Sequence, residues 1–308
     1  MRNYRNNYYG FQKFKSAMFL PVATDEVASE FEPGGSLEVA LRQIRSLGIN
    51  TVFQLIPNTA TAAYVKSYLD TCSANGFKSG VGFVDRLVST GASGSQTWET
   101  TPVATAIQPN VDHAALLTYA TIDEPFEVCF RADMQTLYTQ LRTTSGSATY
   151  LLKADSTFVD QWVNFSGELE SFGAATKTFF TGMCDISAHT KLGFEDYTQP
   201  LAYLNDLILR VHSAARDEVF RAVNPFPYWI QIGVLERGNN RIPTEWELHD
   251  HLHTVLNTVY PAGRPDRISW QGSNVKNLGD TDLNMKDPQL AFAREWAARL
   301  SQPDFWTF

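Results

Sequence analysis

Short runs of apolar, β-branched and aromatic residues recur along the chain, and stretches with the periodicity of an amphipathic helix separate many of them. The first run, SAMFLPVA at 16–23, reads as a strand. After Gly34-Gly35 a helix is expected over 37–47, where Leu37, Ala40, Leu41, Ile44 and Leu47 share one face and Gly48 supplies the stop. TVFQLI at 51–56 predicts a second strand, 62–74 a second helix ended by Gly76, and KSGVGF at 78–83 a third strand. The Ser, Thr and Gly-rich stretch 89–102 predicts a long loop, with a short helix near 111–116 before a fourth strand at 116–122. The same alternation continues with a helix at 134–142, strands at 148–153 and 178–186, and a strongly amphipathic helix at 201–215. A strand at 228–235 follows, then a helix from Thr244, a short strand at 267–270 and a last helix from Asp287 to Leu300. Thr244 and Glu247 form a capping-box pattern, and Pro288 stands where the first turn of a helix tolerates proline.

Eight strands separated by helical segments predict a single α/β domain over 1–308, a (β/α)₈ TIM barrel, with an N-terminal extension over about 1–13 and a long loop over about 87–110. The rival arrangement, an open doubly wound sheet, usually follows its first strand with a glycine-rich phosphate loop. Here the first strand runs into PVATDEVASEFEPGGS, which contains no GxGxxG.

Composition narrows the function. The 308 residues carry a formal net charge of −8, which argues against a nucleic-acid partner. No apolar run approaches the roughly 18 residues that cross a bilayer, so no membrane partner is expected. The N-terminus, MRNYRNNYYGFQKFK, lacks the apolar core of a signal peptide, which implies a chain that stays inside the cell or one whose leader has been removed. Cys72, Cys129 and Cys184 are widely spaced and read as small buried hydrophobes. The chain has 20 Phe, 12 Tyr and 7 Trp, enough for both core packing and stacking on the C–H faces of sugars.

In a parallel barrel the loops at the C-terminal ends of the strands converge on one mouth. On the predicted boundaries those ends offer Gln54 and Asn58, Asp85 and Arg86, Asp123 and Glu124, Lys153 and Asp155, Asp185 and His189, Gln231 and Glu236, and Trp270 and Gln271. Such a mouth is acidic, rich in hydrogen-bonding groups and aromatic at its rim, and it suits a polyhydroxylated ligand better than a phosphate. Glycoside cleavage needs one carboxyl group to protonate the leaving oxygen and a second to attack or to activate water. Glu124 and Glu236, past the fourth and seventh strands, are the expected catalytic pair. Asp123 would raise the pKa of Glu124 by its like charge, or bind a hydroxyl. Asp85, Asp185 and Gln231 are expected to bind substrate, with Trp98 and Trp270 as stacking platforms.

Other chemistry fits less well. HDHLH at 249–253 lacks the glutamate of an HExxH zinc site, and the first strand has no His-x-His, so no metal is expected. There is no GxSxG elbow, and nothing activates Cys184 as a nucleophile.

The segment IDEP at the fourth strand resembles TIM barrels of the glycoside-hydrolase type that carry a DEP motif there. CDISAH is similar to their sixth strand, D-I-x-x-x-D. YWIQIGVLERGNNRIPTEWELHDHLHTVL is similar to their W-x-x-x-Q…R-x-P-T-x-x-E-L segment, and ISWQGS to their eighth strand with its aromatic end. The likeness covers roughly 116–273. It implies a glycosidase without a cofactor, acting on a carbohydrate, with Glu124 as acid/base, Asp123 where the clan of retaining enzymes has Asn, Glu236 as nucleophile and Asp185 as its substitute. The competing expectation is a barrel that binds carbohydrate or serves as a subunit of a larger assembly without cleaving anything. Oligomeric state is not readable from the sequence.

Overall fold

The computed structural model describes residues 15–19, 37–46, 49–83, 87–90, 96–121, 129–154, 182–190, 228–233 and 267–271. Ten strands and three α-helices lie among them: β1 (Lys15–Phe19), α1 (Leu37–Ser46), β2 (Thr51–Ile56), α2 (Ala62–Ala74), β3 (Lys78–Phe83), β4 (Val88–Thr90), β5 (Gln96–Trp98), β6 (Leu116–Ala120), α3 (Arg131–Ser145), β7 (Leu151–Ala154), β8 (Ile186–Thr190), β9 (Tyr228–Gly233) and β10 (Arg267–Gln271). Eight strands form one sheet in the order β6-β3-β2-β1-β10-β9-β8-β7, and every pairing is parallel. The two outermost strands meet at a parallel bridge between Tyr119 and Tyr150, where the Tyr119 N–H donates to the Thr149 carbonyl at 2.9 Å.

The helices follow from local sequence. Thr61 caps α2 by accepting the Tyr64 N–H at 3.2 Å, and Val65, Tyr68, Leu69 and Cys72 are spaced to bury one stripe. The turn after α2 needs Gly76 at φ 77°, and the Arg45 guanidinium of α1 donates to the Asn75 carbonyl there at 2.6 Å. Burial of Leu37, Leu41 and Ile44 gives α1 its apolar face.

Side chains alternate along β2. Phe53 packs in a cluster with Ala120 of β6, Leu151 of β7 and Ile186 of β8, joined by Leu55 and Leu117. Val52, Gln54 and Ile56 occupy the opposite face by the two-residue period of a strand. Residues of β2 and β8 lie far apart in strand order, so their contact requires a strongly curled sheet. Room for Phe53 comes from the neighbouring strand: a Cβ on Gly80 would lie 2.2 Å from Phe53 Cδ2, and one on Gly82 would lie 2.5 Å from Leu55 Cδ2. The pattern KSGVGF thus leaves a groove into which β2 places its largest interior side chain.

Several boundaries differ from the sequence reading. The stretch expected as loop over 89–102 contains the antiparallel hairpin β4–β5, in which Val88 pairs with Trp98. The helical turns expected near 111–116 lie earlier, as a π-helical segment (Val103–Ile107) and a 3₁₀ turn (Gln108–Asn110). Asn110 secures them by donating to the Ala62 and Ala106 carbonyls at 3.0 and 2.8 Å. Most consequential, β8 is Ile186–Thr190, whereas the apolar pattern had indicated 178–186. The N-terminal extension and the helices expected at 201–215, from 244 and at 287–300 lie outside the described residues. Among the described residues, no helix is long and apolar enough to cross a membrane.

The fit of Phe53 against β3 makes a specific forecast. Gly80→Ala should lower unfolding free energy by about 1–3 kcal/mol, the cost of overpacking a close-fitting core. Urea denaturation measures this, and an unchanged midpoint would show that the Phe53 ring is not confined by β3.

Candidate active site

Because all eight strands of the sheet are parallel, their C-terminal ends lie along one edge, and the connections leaving those ends form one face. The hairpin β4–β5 belongs to that face. It follows the end of β3, and its root is fixed to the end of β6: the Leu87 N–H donates to the Thr121 carbonyl at 3.4 Å, while the Leu87 carbonyl accepts the Glu99 N–H at 3.0 Å. Leu87 is 1% exposed, so this root is a packed anchor. Trp98, half-buried, therefore stands beside the strand whose continuation carries Asp123 and Glu124.

Four expected site residues, Trp98, Gln231, Trp270 and Asp185, have defined places. Trp98 is in β5. Gln231 is in β9, in register with Ser269 of β10 and Thr190 of β8, and Trp270 is in β10, in register with Met18 of β1 and Ile232 of β9. Glu124, Asp123, Asp85 and Glu236 lie outside the described residues, as does the DEP tripeptide. The HDHLH cluster also lies outside them. Among the described residues, no group of three His, Cys, Asp or Glu is arranged to hold a metal ion. Gln54, another polar residue of the second strand, is fully buried with neither amide atom hydrogen-bonded, and the strand period turns it away from Phe53 and the interior. It is not a group at the mouth.

Asp185 requires a correction. The strand it was expected to terminate begins one residue after it, so Asp185 stands at the N-terminal end of β8, the pole opposite the loops that follow the strands. Its carboxylate is fully engaged there. Oδ1 accepts the Tyr138 hydroxyl at 2.6 Å, and Oδ2 accepts the Tyr150 N–H at 2.8 Å and Arg142 Nη1 at 3.3 Å. Arg142 Nη1 also donates to the Ala148 carbonyl at 3.0 Å. Asp185 thus fastens α3 to the beginnings of β7 and β8. Burial pushes the Tyr138 phenol well above its ordinary range, and the neighbouring carboxylate adds to the shift because a second negative charge there is unfavourable.

The layer between helices and sheet holds other perturbed groups. Tyr68 of α2 lies 2.7 Å from Ser79 Oγ of β3, and burial raises its phenol well above the usual value. Burial pushes the Cys72 thiol and the Tyr119 phenol up to about 12 each. All three cysteines are buried, in keeping with a packing role. Phe130, 72% exposed immediately before α3, donates its N–H to Asp133 Oδ2 at 2.9 Å and accepts the Asp133 and Met134 N–H groups at 3.0 and 3.1 Å.

Two outcomes follow. Asp185→Ala should destabilise the fold by about 3 kcal/mol, since it strands buried or partly buried donors from Tyr138, Tyr150 and Arg142, while leaving affinity for sugars unchanged. Thermal unfolding together with calorimetric sugar titration separates the two effects, and lost affinity at unchanged stability would return Asp185 to the binding site. Stability should also fall in alkali. Groups whose folded pKa is raised contribute fully below their unfolded values, 9.0 for Cys72 and 10.0 for Tyr119, and the contribution is lost as pH rises toward 12. A melting temperature flat from pH 8 to 12 would contradict the burial of these groups.

No protein-family model and no curated protein matches this sequence. Solved structures share its fold. The exo-β-1,4-mannosidase Op5Man5 from Opitutaceae bacterium strain TAV5 superposes with a TM-score of 0.57 at 14% identity, over 96% of this chain and 62% of that one. The β-galactosidase of the psychrophilic Marinomonas ef1 gives 0.56 at 10% identity, over 93% of this chain and 59% of that one. A Ruminococcus gnavus β-glucuronidase gives 0.52 at 9% identity, over 85% of this chain and 44% of that one. The chain therefore spans between 44% and 62% of the length of these proteins. At such identities the likeness is one of fold alone: the neighbours are TIM-barrel glycoside hydrolases, and this chain shares their α/β content and parallel sheet.

Proposed function

We propose that the eight parallel strands close into a complete (β/α)₈ barrel and that the chain is a glycoside hydrolase-like enzyme acting at its C-terminal mouth on a β-linked glycoside. The observation that carries this reading is the parallel order of β6 and β9 within one sheet. Glu124 lies four residues past the end of β6, and Glu236 three residues past the end of β9, so both leave the sheet at the same edge. The fold shared with a mannosidase, a galactosidase and a glucuronidase supports the same assignment.

In this mechanism the Glu124 carboxyl gives its proton to the glycosidic oxygen as the bond from that oxygen to C1 breaks. Glu236 either bonds to C1 or takes a proton from the water that attacks C1. Separations of about 5–5.5 Å and about 6.5–9.5 Å distinguish these two courses. Asp123, beside the acid, opposes its ionisation and keeps it protonated near neutrality. Asp85 and Gln231 bind hydroxyls, and Trp98 and Trp270 present apolar faces to the sugar. Asp185 is left out of this reading because its carboxylate is held by Tyr138, Tyr150 and Arg142.

The test is hydrolysis of 4-nitrophenyl β-D-mannoside, β-D-galactoside, β-D-glucuronide and β-D-glucoside. The wild-type protein should cleave at least one. Glu124→Gln and Glu236→Gln should each reduce kcat by about 10²-fold or more while sugar binding remains measurable. Full turnover in Glu124→Gln would reject the acid assignment. Binding of sugar with no cleavage of any glycoside would make the chain a carbohydrate-binding barrel.

A further inference from the structure

Among the described residues, Tyr119 and Tyr150 form the one bridge between β6 and β7, whereas every other join in the eight-stranded sheet is a ladder of several paired residues. Side-chain hydroxyls supply what the backbone does not. The Thr118 hydroxyl donates to the Thr149 carbonyl at 2.9 Å, and Thr121 Oγ1 lies 3.2 Å from the Tyr150 hydroxyl. Thr121 and Tyr150 are both fully buried, so each hydroxyl depends on the other for its hydrogen bond.

Thr121 has a second engagement. Its carbonyl accepts the Leu87 N–H at 3.4 Å, and the Leu87 carbonyl accepts the Glu99 N–H at 3.0 Å. Leu87 and Glu99 are the root of the hairpin β4–β5. Each strand of that hairpin has three residues, and a two-stranded hairpin is at best marginally stable by itself. Its order therefore depends on how its root is held. Glu99 Oε1 accepts the Thr101 N–H at 2.7 Å, which fixes the root to its own connection. Toward the sheet the root is held by Thr121, and Thr121 meets Tyr150 across the seam. One buried residue thus serves seam and hairpin at once, and a shift of its hydroxyl toward a new partner carries its carbonyl along.

We propose that Tyr150 is a positioning residue: acting through Thr121, its hydroxyl holds the root of the hairpin β4–β5 and so sets the place of Trp98. The consequence for sugar binding rests on the mouth proposed above, whereas the coupling of seam to hairpin does not.

The test compares Tyr150→Phe and the double variant Tyr150→Phe/Thr121→Val with the wild-type protein, by thermal unfolding, amide hydrogen exchange and hydrolysis of the four 4-nitrophenyl glycosides. Phenylalanine keeps the ring that lies 5.4 Å from Tyr119 and 6.1 Å from Tyr138. Tyr150→Phe strands the Thr121 hydroxyl and should lower the melting temperature by about 4 °C. Adding Thr121→Val removes the stranded group and should recover most of that loss. In the double variant the Leu87 and Glu99 amides should still exchange about tenfold faster than in the wild type, with the β2–β3 ladder unchanged. Recovered stability with a loosened hairpin is a result that a merely structural hydrogen bond does not give. Wild-type exchange at Leu87 and Glu99, or acceleration spread equally over the β2–β3 ladder, would overturn the assignment. On a glycoside that the wild type cleaves, the double variant should raise KM about fivefold and keep kcat within about twofold. An unchanged KM would overturn the part of Tyr150 in sugar binding. A wild-type protein that cleaves no glycoside, with the amides responding as expected, would reject the two-carboxylate reading and leave the coupling standing.

Discussion

A parallel sheet of eight strands has two edges, and in this protein they meet at Tyr119 and Tyr150. The contact is short in backbone terms, one bridge and the hydrogen bond from Tyr119 to Thr149, but side chains reinforce it heavily. The Thr118 hydroxyl donates to the Thr149 carbonyl at 2.9 Å. The rings of Tyr119 and Tyr150 lie 5.4 Å apart between centroids, and that of Tyr138 from α3 lies 6.1 Å from Tyr150. Behind them the Tyr119 hydroxyl donates to Ser145 Oγ at 2.7 Å, and Ser145 in turn to the Leu141 carbonyl at 2.8 Å. Helix α3 thus lays the Tyr138 ring over the seam and takes up the Tyr119 hydroxyl, while the Tyr150 hydroxyl lies 3.2 Å from Thr121 Oγ1, as buried hydroxyls require.

Asp185 belongs to the same structure. By accepting the Tyr150 N–H it occupies a backbone donor at the point where β7 is about to begin, and by holding Tyr138 and Arg142 it fixes α3 over the seam. Its polar partners therefore stabilise the pole opposite the proposed mouth. Conservation of charge at this pole would serve folding, whereas charge at the other pole would serve chemistry, a division of labour common to barrels. The hairpin β4–β5 is rooted at the C-terminal end of β6 through the Leu87–Thr121 hydrogen bond.

Much of this arrangement was legible in the sequence, and where it was not the reason is physical. The strands 51–56 and 78–83 and the helix 62–74 were read with their observed bounds, because Gly76 stops the helix and short strand-like runs stand on either side of it. The hairpin β4–β5 escaped notice because its three-residue strands, VST and QTW, are too short to show an apolar alternation. The misplacement of β8 mattered most. TFFTGMCDI is the more apolar stretch, but the pairing strand is ISAHT, whose small and polar residues are in register with β7 and β9. A shift of several residues along the chain puts Asp185 at the start of β8 rather than its end, within reach of Tyr138, Tyr150 and Arg142.

Everything proposed about catalysis requires the carboxyl groups of Glu124 and Glu236 to open into one mouth. A crystal structure of the protein measures their separation directly. The account predicts oxygen atoms within about 10 Å of each other, with a distance near 5 Å marking a covalent course and one near 6.5–9.5 Å a water-mediated one. Carboxyl groups farther apart than that, or facing separate solvent, would contradict it whatever the sheet's topology.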